Sequence, residues 1–368
     1  VFYNFALVNG TLEKTARYLL YACRRFPGLL PFAIYLAAAG IAALGAGFFT
    51  VMAFMAPITL LICEEAKMDK LVGAVAVNCG ALSGANFMTS GSGIIFRGLM
   101  DEAGLSDVSF NYSAVIFVTS VIFSLLLIAA FRYIPKSNRN IGKGVTFEKP
   151  EPFTKQQKTN LRLIILMIVL VLIFPILHII LPGNAVIANI NGKIDVGLVA
   201  IIFSVIALLL KLAPQKEVIA KIPWNTIIMI CGVGMLIGVA IEAGTIDMLS
   251  TWAGSNLPVW VVPIAFSIIG AIMSFFSSTL GVVCPALFPL VPALAAGTGI
   301  NPMILFTCIV VGSQSSAISP FSSGGSLVLG SCATEEERNA MFPRLLFLAV
   351  PASVLAATAY NFFLSLFL

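Results

Sequence analysis

The chain has 368 residues, of which 59% are hydrophobic and only 10% charged, with a mean hydropathy of +1.03. That composition excludes an ordinary soluble globule and fits a chain that crosses a bilayer several times. The net charge of +5 would raise nucleic acid as a partner, but the basic residues sort by loop rather than into one patch, so lipid is expected around the chain and nucleic acid is not.

In chain order, residues 28–63 are two short apolar arms joined by small residues and read as a re-entrant helical hairpin. Residues 71–98 carry polar residues and glycines in their middle and read as a broken helix. A plain span follows at 112–134, then a linker at 135–158 rich in Lys, Pro and Asn. Further spans are expected at 161–182, 196–212 and 222–241, each near the length that a hydrocarbon core of about 30 Å requires. A second hairpin at 258–296, a second broken helix at 302–330 and a last span at 345–368 complete the chain. The expected fold class is thus an all-α polytopic membrane protein, divided as a first repeat 1–134, a linker 135–160 and a second repeat 161–368.

Residues 10–92 return as residues 244–326 at a constant offset of 234, with Gly47 over Gly281, Phe54 over Phe288, Leu71 over Leu305 and Phe87 over Phe321. Such a repeat, laid over interrupted membrane segments, is the sign of inverted repeats that hold a small solute between them at mid-membrane. The same offset leaves 161–234 without a first-half partner. About two and a half helices are therefore expected upstream of Val1.

On this layout 19 of the 21 Lys and Arg fall on one side, in segments 10–27, 64–70, 132–162, 211–224 and 331–344. Only Arg97 and Lys193 fall on the other, which places the first side in the cytoplasm and the carboxyl terminus outside the cell membrane. The seven cysteines show no CxxC spacing and mostly sit in apolar runs, so neither a disulfide framework nor a metal site is expected. Gly232, Gly234 and Gly238 lie inside an apolar run with no strand before them, which is helix packing rather than a nucleotide loop. His178, close to Pro182, reads as an interfacial or packed residue.

The chemistry gathers where small polar residues interrupt the spans. The first hairpin tip reads Ala43-Leu44-Gly45-Ala46-Gly47 and the second Ser277-Ser278-Thr279. A helix broken at mid-membrane frees carbonyls that hold a cation and amides that hold an anion. Candidate anion-binding residues are Ser278, Thr279, Ser315, Ser319, Pro320, Ser322, Asn86 and Thr89. Candidate cation-binding residues are Ser277, Ser278, Thr279, Gly312, Ser313 and Ser316 in the second half, and Asn78, Gly80, Ser83, Gly45 and Gly47 in the first. No Lys, Arg, Asp, Glu or His falls in these clusters, so no proton relay is visible. An intramembrane enzyme is disfavoured, since there is no HExxH and no GxSxG.

At the tip Ser277-Ser278-Thr279 and across residues 312–326 the chain resembles the ion transporter superfamily, and within it the divalent-anion:sodium symporters and MatC-type dicarboxylate carriers. The family's tips carry Ser-Asn-Thr, where this chain has Ser277-Ser278-Thr279 and Leu44-Gly45-Ala46. The resemblance implies residues 10–26 and 244–257 as surface helices. It also implies an elevator-type homodimer that carries a small dicarboxylate with sodium ions and no other cofactor. The nearest alternatives are a carrier of another anion or of a neutral solute and the large membrane subunit of a TRAP-type system, which shares the same plan.

Overall fold

Backbone groups in hydrocarbon must find partners within their own segment, and every regular element among the described residues of the computed structural model is accordingly helical. The structure describes residues 1–22, 27–133, 149–181, 196–222 and 256–367, with isolated positions between 184 and 252. The expected span 222–241 and most of the linker 135–158 lie outside the described residues.

The chain begins with α1 (Phe2–Val8) and the amphipathic α2 (Thr11–Ala22), whose exposed face pairs Arg17 with Glu13. The first hairpin follows as α3 (Leu30–Ile41), a π-helical turn over Ala42–Ala46, and α4 (Phe48–Glu65). The first broken helix is α5 (Lys70–Ala85) and α6 (Gly91–Glu102), and α7 (Ser106–Tyr133) is a full span. Next come α8 (Lys155–Ile180), α9 (Val196–Leu209) and the short α10 (Gln215–Ala220). The second hairpin is α11 (Val262–Phe276) and α12 (Thr279–Thr298), and the second broken helix is α13 (Pro302–Ser315) and α14 (Ser323–Gly330). The final elements, α15 (Glu335–Arg344) and α16 (Val350–Phe367), join through a π-helical turn. Six helices among the described residues are long and apolar enough to cross a membrane.

Helix starts show the duplication directly. Asp69 caps α5 by accepting from the amide of Leu71, and Asn301 caps α13 by accepting from that of Met303. Proline lies in the first turn of α3 and again of α11, and extended Ser90 and Ser322 precede α6 and α14. All three pairs are 232 positions apart. The expected offset of 234 holds at the left-handed Gly10 and Gly244, but a gap of two residues separates that point from the second hairpin, contrary to the unbroken register read from the sequence. Identities among Phe, Leu and Gly misled there, because these types are abundant, whereas caps and first-turn prolines fix where a helix can begin.

Each hairpin lies beside its own broken helix, with its first arm running parallel to it. The carbonyl of Tyr35 on α3 is close to Gly80 on α5, Ala39 to Gly84, and Ala42 to Ser90 beyond the break. Ser267 on α11 meets Gly312 on α13, Ala271 meets Ser316, and Ser277 meets Ser322. A hairpin tip therefore reaches the depth of its neighbouring break, which makes both hairpins re-entrant. The two units are also inverted. The α5 end of the first broken helix meets the stretch that follows α14, through Lys70–Glu337 and Arg344–Asp69, while Phe96 and Met100 of α6 join Leu305 and Phe306 of α13 in a second core.

Segments that the basic-residue count places on one side do meet one another. Lys14 donates to the Pro152 carbonyl, Arg132 to that of Gly28, and Gln157 to that of Asn9.

Candidate functional site

At the first break α5 ends on Asn86, and the backbone passes through Thr89 to Ser90 before α6 starts. The Ser90 hydroxyl donates to the Ala42 carbonyl at 2.6 Å, fastening the break to the hairpin tip. The tip needs glycine twice, since Gly45 (φ 96°) and Gly47 (φ 74°) both take left-handed backbone. Tyr3 covers this tip: its ring fills the space that a side chain at Gly45 would need, and its hydroxyl donates to the Thr89 carbonyl at 3.3 Å.

The second break has the same plan with more hydroxyls. Ser322 donates to the Ser277 carbonyl at 3.2 Å, and Ser316 to the Ala271 carbonyl at 2.7 Å. Ser277 donates to the Met273 carbonyl at 2.6 Å, Ser278 accepts from the Gly281 amide at 3.2 Å, and Ser274 and Thr279 share a hydrogen bond of 2.9 Å. Within the break Ser313 and Ser315 donate to the carbonyls of Val310 and Gly312, and Ser319 accepts from the Phe321 amide. Pro320 is buried in the break, where its lack of an N–H leaves no donor unpaired. The rings of Phe275, Phe276 and Phe321 pack edge-on or tilted about this tip, with Phe342 edge-on to Phe321.

The two breaks meet. Asn86 donates to the Gln314 side-chain oxygen at 3.1 Å and Gln314 donates back to the Asn86 oxygen at 2.9 Å, while Asn86 also donates to Ser120 of α7 at 2.9 Å. This buried, reciprocal amide pair joins the repeats at mid-depth, where each half-helix brings free carbonyls or free amides.

The structure thus brings Ser277, Ser278, Thr279, Ser319, Pro320 and Ser322 around one tip and break, and joins Asn86 to that break through Gln314. Thr89 and Gly45 lie together beneath Tyr3 at the first. Other candidates face elsewhere. Ser83 donates to the Tyr35 hydroxyl at 3.0 Å, Gly80 and Gly312 sit where α5 and α13 press on the hairpin arms, and the Asn78 oxygen lies against Gly324 of the opposite repeat. Sequence reading missed Gln314, although a lone amide among serines was a usable signal. It also missed Tyr3, Ser120 and the ring cluster, for which the sequence offered none.

A family model described as citrate transporter (CitMHS) matches residues 8–364. No curated protein matches the chain. Among solved structures, the YdaH transporter of Alcanivorax borkumensis, noted for an unusual topology, aligns with a TM-score of 0.62 at 15% identity, over 100% of this chain and 84% of that one. At that identity the likeness concerns the fold alone. Because the family match encloses both hairpins, both broken helices and the amide pair between them, the chain belongs to the citrate transporter family, as a multi-pass membrane transporter of a small anion.

Proposed function

We propose that the protein is a sodium-coupled carrier of a small di- or tricarboxylate, with the anion held between the two helix breaks. The observation that carries this reading is the meeting of the breaks at Asn86 and Gln314, within a setting of hydroxyls, carbonyls and half-helix amides whose described residues include no Lys, Arg, Asp, Glu or His. The amides at the starts of α6 and α14 suit carboxylates, and the second tip, with Ser277, Ser278 and Thr279, supplies the stronger cation site. Bringing a divalent anion into a negative interior costs about 2.3 kcal/mol per charge per 100 mV, so co-bound cations are needed to cancel its charge. Since each tip is fastened to its break, and the breaks to each other, these elements move as one body in an elevator-type step.

Uptake into vesicles with sodium and pH gradients imposed separately tests the coupling. Sodium alone is expected to drive accumulation; full activity driven by protons without sodium would overturn the claim.

The basic-residue count supports a cytoplasmic linker and an external carboxyl terminus. Single cysteines placed at residue 145 and after residue 368, in a chain cleared of native thiols, test this in intact cells. An impermeant reagent is expected to label only the second, and labelling of the first reverses the topology.

A further inference from the structure

Helix α1 faces two ways. Phe2 packs edge-on against Phe203 of α9 at 5.6 Å, Asn4 donates to the Val218 carbonyl of α10 at 3.0 Å, and Asn9, just past the helix, donates to the Leu212 carbonyl at 3.3 Å. Gln157 of α8 donates to the Asn9 carbonyl at 3.0 Å. These ties fix α1 to α8, α9 and α10. Tyr3 points the other way, into the first tip and break, which belong to the body of hairpins and broken helices. Its ring atoms lie 2.3 Å from the point where a side chain at Gly45 would begin, and its hydroxyl donates to the Thr89 carbonyl. Among the described residues of α1, Tyr3 is the one whose side chain bonds to that body.

The contact has the marks of one that is made and broken. At 3.3 Å the bond is longer than the roughly 2.5–3.0 Å of a tight hydroxyl bond. The Thr89 hydroxyl beside it is buried and has no hydrogen-bond partner, which raises the energy of the closed arrangement and sets it nearer to balance with an open one. The second tip has no such cover. Phe276 and Phe321 are 70% and 52% exposed there, and the counterpart of Tyr3 is Met235 in the 232 register or Ile237 in the 234 register, neither of which carries a hydroxyl. One tip packed and the other bare is what one end of a movement between the two states of an inverted repeat looks like.

We infer that Tyr3 is a one-sided latch, whose ring and hydroxyl hold the first tip and break against α1 and whose bond to Thr89 opens each time the body moves. Its role in transport rests on the elevator-type reading above; the contact itself stands on the geometry. Because neither Met235 nor Ile237 can return such a bond, the latch biases the resting molecule towards the arrangement seen here.

The test carries spin labels at Glu217→Cys on α10 and Glu336→Cys on α15, both exposed positions, in the full chain cleared of native thiols and held in nanodiscs. Since α15 is tied to α5 through Glu337 and Lys70, the labels read the separation of the body from the helices that hold α1. Pulsed electron resonance gives the distribution of distances. In Tyr3→Phe, which loses only the hydroxyl, the ratio of the distance seen here to any other is expected to fall about two- to fivefold. Tyr3→Leu, which also loses the ring over Gly45, is expected to go at least as far. Asn4→Ala removes a bond of the same kind between α1 and α10, and is expected to lower the thermal midpoint while leaving the distances unchanged. Distances in Tyr3→Phe identical to the parental ones overturn the latch, even where Tyr3→Leu unfolds. An equal shift in Asn4→Ala overturns it as well, since loosening of α1 alone would then produce the effect. Sodium-driven uptake that persists in either case leaves the transport reading intact. A shift confined to the Tyr3 variants, in a chain that shows no uptake, overturns that reading and leaves the latch standing.

Discussion

Gly93→Ala and Gly325→Ala are expected to abolish most uptake, each by one added methyl. A side chain at Gly93 would begin 2.2 Å from the Phe87 carbonyl oxygen, and one at Gly325 would begin 2.2 Å from that of Ser319 and 2.3 Å from that of Ile318. These are the carbonyls of the breaks themselves, so no rotamer change relieves the clash and the break must open. Overpacking of this kind costs about 1–3 kcal/mol, or roughly fivefold to 150-fold in any equilibrium that needs the native break. Gly98→Ala and Gly330→Ala serve as controls in the same two half-helices, since nothing lies within 4 Å of the added atom. Uptake per folded molecule in vesicles is the measurement. Equal activity in all four variants would show that the breaks tolerate rearrangement and do not form the binding site.

Asn86→Leu and Gln314→Leu are expected to be about as damaging singly as together. Each single change leaves the other buried amide without its partner, at roughly 1–3 kcal/mol. Removing both leaves no amide unpaired and takes from Ser120 only the Asn86 donor, while its hydroxyl still donates to the Ile116 carbonyl. The coupling between the two sites should therefore be on the order of 0.5–3 kcal/mol. A double-mutant cycle on thermal midpoint and on uptake measures it. Additive losses would mean that the two amides do not act as a pair.

Much of this architecture was legible in the sequence, and the reasons are specific. Hairpins and broken helices were readable because polar and glycine clusters inside apolar runs have few structural outlets in a membrane. The span expected at 161–182 begins earlier, at Lys155, because Thr154 and Gln157 form a capping box that hydropathy alone does not register. The repeat was readable but its register was not, since Asp69 and Asn301 do the same work without being identical. Within the site, the serine-rich break and tip could be named from composition. What could not be read was direction. Asn78 turning to the opposite repeat, Ser83 turning to Tyr35, and Tyr3 lying over Gly45 all depend on contacts between residues 42 or more positions apart, or between the two repeats.

In the 232 register Asn86 corresponds to Ile318, and Gln314 to Leu82. The mirror image of the amide pair is thus an apolar pair, Leu82 with Ile318, both of which line a small cavity between α5, α7, α13 and α16. Two identical copies of either half, assembled head to tail as separate chains, would set an amide against an aliphatic side chain on both sides of the axis. Only unlike halves produce a matched amide pair on one side and a matched aliphatic pair on the other. The linkage between the breaks therefore depends on the two halves being unlike, and it gives a pseudo-symmetric membrane protein a chemical left and right.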